Sequence, residues 1–142
     1  MHTHAAAREP ESARHQKRLT VWGGRALTAL PILMMLVSAL MKLTRNPQAL
    51  EQFVGTFGYA GSALPGIAVL ELVCVALYAI PLTAVLGAVL LTGYLDGAVA
   101  THVRVGDPGF VVPLLLGLSA WAGIFLREER LRALLPIRKD RM

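Results

Sequence analysis

The sequence predicts an all-α fold, a four-transmembrane-helix bundle with a short outer interfacial helix after the first span. Hydrophobic residues make up 55% of the 142 residues and charged residues only 16%, whereas a soluble domain has about 25% charged residues. The deficit is concentrated in four runs without Asp, Glu, Lys or Arg, at 26–41, 52–70, 72–95 and 108–126. Uncharged apolar runs of about 18 residues or more indicate membrane spans rather than core helices.

The first span is predicted over residues 22–42. Arg25 and Lys42 lie near its two ends, and their long side chains can reach opposite interfaces. The polar residues before it predict a disordered basic cytoplasmic tail over 1–20. The membrane domain then covers 21–136, and 137–142 form a basic cytoplasmic C-terminal tail. Pro31 lies inside the first span, where membrane helices tolerate a proline.

A short helix is predicted to start at Asn46-Pro47, because Asn is a good N-cap and Pro suits the first helical position. The segment is too short to span a bilayer, and Gly58 ends it. It therefore predicts a helix on the outer surface. An apolar stripe runs along it at helical spacing: Leu50, Phe53, Val54 and Phe57.

The second and third spans are predicted over 62–80 and 82–103, separated by a tight turn at Pro81. A single helix over both would be about twice as long as the bilayer core is thick, so a break is required. Residues 104–109 are dense in turn formers. The fourth span follows over 110–126, and a short interfacial helix is expected before Pro136.

The distribution of Lys and Arg predicts the orientation. One side carries eleven, five up to Arg25 and six from Arg127 onward, and the other carries Lys42, Arg45 and Arg104. Positive residues concentrate on the cytoplasmic side. We therefore expect a multi-pass protein of the inner (plasma) membrane with both termini in the cytoplasm, which requires an even number of spans.

Two carboxylates interrupt the apolar runs, and an ionisable group inside a span is a functional hypothesis by default. Glu71 lies in the second span and Asp96 in the third, about one turn apart in depth if the helices form a hairpin. If both face inward, they would interact. A polar cluster around these residues would either handle a proton or ligand in the outer half of the bundle, or be a structural cluster that sets helix register. Its candidate members are Glu71, Asp96, His102, Arg104 and Lys42, with Tyr94 as a further polar neighbour.

Small residues on the third helix predict close packing. Gly93, Gly97 and Ala100 form a strip that permits the approach of another helix, within the bundle or from a second copy.

The sequence contains no GxGxxG, GxxxxGK[ST], HExxH or GxSxG motif. We therefore assign no catalytic and no metal-binding residues, and favour a protein without its own catalytic apparatus. Cys74 is expected to be a small buried hydrophobe. The net charge of +5 lies in the tails, which favours lipid contact and topology over nucleic-acid binding.

Several segments resemble the DoxX-like family of small bacterial membrane proteins, over roughly residues 24–136. The specific part runs from Leu70 to Pro108. It includes GIAVLELVC at 66–74, AIP at 79–81, TAVLGAVLLTGY at 83–94 and ATHVRVGDP at 100–108. Glu71, His102 and Arg104 match the family pattern, whereas Leu82 stands where a basic residue is frequent and Asp96 where glycine is usual.

The resemblance implies four transmembrane helices and, for some relatives, an association with membrane redox complexes that include a quinone-reducing oxidoreductase. The leading hypothesis is a non-catalytic membrane subunit or partner of a redox or envelope complex. The alternatives are a small quinone- or lipid-binding protein with its polar site around Glu71, and an oligomeric small-molecule transporter. The expected partners are the lipid bilayer, a membrane or soluble redox protein, and further copies of the chain. No cofactor is predicted in the chain itself, apart from a bound quinone under the second hypothesis.

Overall fold

A computed structural model of the chain describes residues 11–128 and Leu131, without the side chains of Ala13 and Lys17. The predicted C-terminal interfacial helix and the two outermost tail segments lie largely outside these residues. Every regular element in the described part is helical. The elements are α1 (Glu11–Leu43), α2 (Pro47–Leu50), a π-helical turn (Glu51–Thr56), a 3-10 turn (Gly61–Ala63), α3 (Leu64–Ala79), α4 (Ala84–Arg104), a second 3-10 turn (Pro108–Phe110) and α5 (Val111–Arg127).

The four-span prediction is confirmed. Four helical stretches are long and apolar enough to cross a membrane, namely Arg14–Leu43, Gly61–Ala79, Ala84–Arg104 and Pro108–Arg127. Their outward faces carry large apolar side chains, such as Leu33, Val69 and Leu118, each more than half exposed. Exposed apolar side chains on helices of this length suit a hydrocarbon solvent, because each helix satisfies its own backbone groups. The protein is therefore a multi-pass membrane protein.

Helix α1 begins earlier than the sequence predicts. It starts at Glu11, so residues 11–20 are helical rather than the disordered tail that their polarity predicts. This segment contains good helix formers, and the acidic Glu11 in the first turn interacts favourably with the helix dipole. Helical propensity and continuity with the first span therefore extend the helix beyond the apolar stretch.

The four long helices form a closed ring in the order α1, α3, α4, α5, with contacts between each neighbouring pair. Neighbours run antiparallel, which places the α3–α4 turn and the end of α5 together. We call this the turn end, and the opposite end, which holds 44–63 and 105–110, the loop end. The core between the helices is apolar and includes Met35, Val75, Leu91, Leu116 and Ile124.

Two glycines allow the helices to approach closely. A Cβ at Gly87 would lie 2.1 Å from the Tyr78 backbone nitrogen, and one at Gly123 would lie 2.7 Å from the Thr28 hydroxyl oxygen. These positions join α4 to α3 and α5 to α1. At Gly93 and Gly97, by contrast, a Cβ would meet nothing within 4 Å. The strip at 93–100 therefore packs against no other helix within the described chain, and packing against a second copy stays a prediction.

The segment after α1 starts as predicted. The Asn46 side chain accepts a hydrogen bond from the Gln48 backbone N–H, with Pro47 at the first helical position. The chain then widens into the π-helical turn instead of continuing as a regular α-helix. Gly58 follows with a positive φ of 71°, a conformation that glycine adopts without steric cost. Phe57 is buried, so the apolar stripe partly faces the bundle.

Candidate functional site

A buried ion pair joins the first two long helices. Lys42 is in the last turn of α1 and Glu71 is in α3, and Lys42 Nζ lies 2.7 Å from Glu71 Oε2. The side chains are only 2% and 1% exposed. Removing two charges from water is costly unless each is paired and hydrogen-bonded. The surroundings of the two groups therefore decide what the pair can do.

The Lys42 ammonium group is well supplied with partners. Besides Glu71, it donates to the Ser38 hydroxyl one turn earlier on α1. It also lies 4.9 Å from the centre of the Phe53 ring. An ammonium group has three N–H donors, and an aromatic face attracts a cation. These three contacts account for the charge without a further acceptor.

The Glu71 carboxylate is not satisfied in the same way. Its second oxygen, Oε1, is buried, and no donor in the described part of the chain hydrogen-bonds to it. Tyr94 lines the same cavity as Glu71, but its hydroxyl group does not hydrogen-bond to Oε1 in this structure. A buried acceptor without a partner costs about 1–3 kcal/mol. Glu71 Oε1 is therefore a buried acceptor that no described residue satisfies.

The ion pair forms part of the wall of a cavity of about 390 Å³. This size lies within the range of about 300–1,000 Å³ that is usual for small-molecule sites. The cavity extends from Glu71 and Lys42 to Asp107 and Gly109 at the loop end. Most of its wall is apolar or aromatic. The other lining residues are Met34, Met35, Ser38, Gln52, Phe53, Phe57, Tyr94, Leu95, Ala98, His102, Val112, Pro113 and Leu116.

The loop end of this cavity is held by His102 and Asp107. His102 Nδ1 lies 2.8 Å from Asp107 Oδ2, and the Gly109 N–H donates to Asp107 Oδ1 at 2.9 Å. The hydrogen bond from the Gly109 N–H lowers the pKa of the Asp107 carboxyl, and the hydrogen bond with His102 lowers it further. A Cβ at residue 109 would lie 2.9 Å from His102 Nδ1, so glycine at this position leaves room for the imidazole. Phe57 packs edge-on against the same ring at 4.7 Å.

Arg104 has a different position from the one the sequence predicts for it. Its side chain donates to the Phe57 backbone carbonyl and does not line the cavity. Arg104 therefore ties the end of α4 to the segment that carries Phe53 and Phe57. It is a positioning residue for the aromatic part of the wall.

The structure does not bring Asp96 to Glu71. Asp96 is exposed on α4 and lines neither this cavity nor a smaller one between α3 and α4. Buried Leu95 is its neighbour in the sequence, and successive helical residues are turned by about 100°. The interaction that the sequence predicts for two inward-facing carboxylates is therefore absent between these two residues.

A second cavity of about 290 Å³ lies between α3, α4 and the segment that follows α2. Gly93 and Gly97 line it, whereas Ala100 is exposed and lines neither cavity. Five residues border both cavities, which makes the two spaces neighbours across a shared wall. The shared residues are Phe53, Phe57, Tyr94, Ala98 and His102.

Sequence reasoning missed the contributions of Ser38, Phe53 and Phe57. Ser38 could have been found, because it lies four residues before Lys42 and hence on the same helical face. The two phenylalanines belong to a stripe that the sequence places against lipid. They line the cavity in a segment that contains a π-helical turn and a contact between Arg104 and the Phe57 carbonyl, and a single sequence carries no signal for either feature.

The described residues include no group of three or more His, Cys, Asp or Glu side chains that could hold a metal ion. In comparisons with known proteins, the model of the DoxX-like family matches residues 26–123, a range that includes Lys42, Glu71, His102 and Arg104. No curated protein and no solved structure matches the chain.

Proposed function

The chain belongs to the DoxX-like family, and from this premise we propose that it is a membrane protein which binds a small amphipathic molecule in the cavity beside Lys42 and Glu71. This is the quinone- or lipid-binding alternative of the sequence analysis. The proposed ligand has a head that carries a hydroxyl group and an apolar body. A quinol, the reduced form of a quinone, has this chemistry.

One observation carries the proposal. Glu71 is one of the residues that line a 390 Å³ cavity, and its Oε1 is buried without a hydrogen-bond donor in the described chain. An ion pair that only held helices together would be expected to satisfy both carboxylate oxygens, because an unpaired one costs stability. A bound hydroxyl group would donate to Oε1 and remove this cost. The apolar wall would hold the rest of the ligand.

Lys42 has a supporting role in this proposal. Its contacts with Glu71, Ser38 and Phe53 keep the ammonium group beside the carboxylate. A carboxylate accepts a stronger hydrogen bond than a neutral acceptor does. Lys42 therefore maintains the acceptor that the ligand's hydroxyl group would meet.

The test is binding of decylubiquinol to the protein purified in detergent, under anaerobic conditions that keep the quinol reduced. Its O-methylated derivative, which lacks the hydroxyl hydrogens, is the matched ligand. We expect the wild type to bind the quinol and to bind the O-methylated derivative roughly tenfold to a hundredfold more weakly, the loss of one hydrogen bond to a charged acceptor. This comparison requires no mutation.

The matched variants are Glu71→Gln and Asp96→Asn. Glu71→Gln should weaken quinol binding by about tenfold, because a neutral amide oxygen is a weaker acceptor. Asp96→Asn should bind as the wild type does, because Asp96 lines neither cavity. Equal affinity of the wild type for the two ligands, or no binding of either, would refute the proposal.

The partner role that the family resemblance implies is compatible with ligand binding and stays a prediction. Co-purification of a redox or envelope protein from the native membrane would support it. The transport alternative also stays a prediction, and proton-coupled uptake into liposomes is the measurement that tests it.

A further inference from the structure

We infer that the ligand reaches its site sideways from the bilayer and carries an apolar chain, which lies in the second cavity between α3 and α4. This inference rests on the proposed function and adds the class of ligand and its route. We call the second cavity the α3–α4 slot, after Ile67 and Leu70 on one side and Gly93 and Gly97 on the other.

The slot opens toward the surface that would face lipid. Leu70 is 56% exposed, and Gly93 and Gly97 are exposed on the facing helix. All three lie inside the stretches Gly61–Ala79 and Ala84–Arg104, which are long and apolar enough to cross a membrane. The opening therefore lies at a depth where the surrounding solvent is hydrocarbon.

The two glycines keep the slot open. A Cβ at Gly93 or Gly97 would meet no atom within 4 Å, whereas one at Gly87 on the same helix would overlap the Tyr78 backbone. Helices α3 and α4 thus touch closely at the turn end and leave a space nearer the loop end. Gly87 therefore permits close packing of α3 and α4 at the turn end, whereas Gly93 and Gly97 leave room for a ligand nearer the loop end.

The slot adjoins the ion-pair cavity. Tyr94 and Phe53 border both spaces, whereas Glu71 lines the ion-pair cavity and not the slot. The independent sign of a ligand lies in the adjoining ion-pair cavity, where no described residue hydrogen-bonds to Oε1 of Glu71, a side chain that is only 1% exposed. If the polar head of the ligand lies at Glu71, its apolar chain would extend past Tyr94 into the slot.

The slot wall suits a hydrocarbon chain. It is formed mainly by aliphatic, aromatic and glycine residues, and its Tyr59 and Thr101 hydroxyl groups are hydrogen-bonded to each other at 2.9 Å. The stretch from Gly93 to Thr101 is about 12 Å long at the helical rise of 1.5 Å per residue. His102, which also lines the slot, is paired with Asp107. Because most of the wall is apolar and these polar groups already have partners, the slot favours an isoprenoid or acyl chain over a polar extension.

The first experiment compares two probes, decylubiquinol and the same quinol ring without its chain. Gly97→Leu places a side chain in the slot. Gly66→Leu is the matched control, since Gly66 is also an exposed glycine in a span and a Cβ there would meet nothing within 4 Å. Unlike Gly97, Gly66 lines neither cavity. We expect Gly97→Leu to weaken binding of decylubiquinol by about tenfold or more and to leave the affinity for the chainless ring within about twofold. Gly66→Leu should leave both affinities unchanged.

Unchanged binding of decylubiquinol to Gly97→Leu overturns the inference, as does an equal loss of both probes. These outcomes are distinct from failure of the proposed function, in which the wild type binds neither probe.

The second experiment needs no substitution. A quinol with a photoreactive diazirine at the end of its chain is bound to the wild type and irradiated, and the labelled peptides are identified by mass spectrometry. We expect labels around residues 67–70 and 93–97. Labels confined to 107–113 would place the chain at the loop end and overturn sideways access.

Discussion

The Lys42 ammonium nitrogen lies 2.7 Å from the Glu71 carboxylate, although the two residues are 29 positions apart and belong to different helices. Both side chains are almost fully buried. This pair connects α1 to α3 and at the same time forms the polar part of a cavity wall. It therefore has consequences for stability as well as for binding.

Lys42→Met should strongly destabilise the protein, because it leaves Glu71 buried without its counter-charge. Removing one partner of a buried pair costs about 3–5 kcal/mol, whereas replacing both by apolar residues is often neutral. The double variant Lys42→Met/Glu71→Leu should therefore recover most of the lost stability. Thermal unfolding in detergent, followed by circular dichroism, measures both effects. A double variant that is as unstable as Lys42→Met would show that the lost stability does not come from leaving the Glu71 charge unpaired.

Gly87→Ala should destabilise the bundle despite the higher helix propensity of alanine. Its Cβ would lie 2.1 Å from the Tyr78 backbone nitrogen, and backbone atoms cannot move aside as a flexible side chain can. Overpacking of this kind typically costs about 1–3 kcal/mol. Gly93→Ala is the matched control on the same helix, since its Cβ meets nothing within 4 Å. The denaturation midpoint of Gly87→Ala should be clearly lower than that of Gly93→Ala. Equal midpoints would argue against the close approach of α3 and α4 at Gly87.

Asp107→Asn should change how stability depends on pH. The Gly109 N–H and His102 lower the pKa of Asp107 in the folded protein, so the unfolded chain binds the proton more readily. The stabilisation by Asp107 is therefore present above its unfolded pKa of about 3.9 and is lost as the pH falls through the lower folded value.

The measurement is the difference in unfolding midpoint between the wild type and Asp107→Asn from pH 7 down to pH 3. The difference should be constant near neutral pH and shrink in acid. Glu51→Gln provides a control, since Glu51 is an exposed carboxylate at the same end of the bundle. A difference that grows in acid would contradict the lowered pKa.

The orientation predicted from Lys and Arg can be tested with single cysteines in a Cys74→Ala background. Leu82 is 97% exposed in the α3–α4 turn, and Arg45 is exposed at the loop end. A membrane-impermeant thiol reagent added outside intact cells should label Arg45→Cys and spare Leu82→Cys. Both should be labelled after the membrane is opened, and the reverse pattern in intact cells would invert the predicted topology.

Much of the fold could be predicted because its signals are local. The four spans follow from uncharged apolar length, the break at Pro81 from the excess length of 62–103, and the start of α2 from Asn46 and Pro47. Each of these depends on neighbouring residues alone. The helical start at Glu11 was missed because polarity suggested a tail, whereas helix propensity and continuity with the first span determine where α1 begins.

The candidate site was only partly predictable. Glu71 was a candidate because charge inside an apolar run is costly, and Lys42 because it is a cation at the outer end of the first span. The Lys42 side chain was expected to reach the interface, but it is only 2% exposed and pairs with Glu71. Asp96 satisfied the same criterion but faces outward, and the Gly93–Gly97 strip lines a slot instead of packing against a helix. Depth along a span can be estimated by counting residues, but the side of a helix that faces inward depends on its neighbours.

The sequence by itself therefore determined that the protein crosses the membrane with four helices and which ionisable residues lie at membrane depth, since apolar length and residue counting suffice for both. Only the tertiary structure decided that Lys42 meets Glu71, that Asp96 does not, and that one oxygen of the Glu71 carboxylate has no hydrogen-bond donor among the described residues. The physical reason is that a rotation of about 100° separates successive residues of a helix. The rotational setting of each helix is fixed by packing contacts between distant segments, such as those at Gly87 and Gly123.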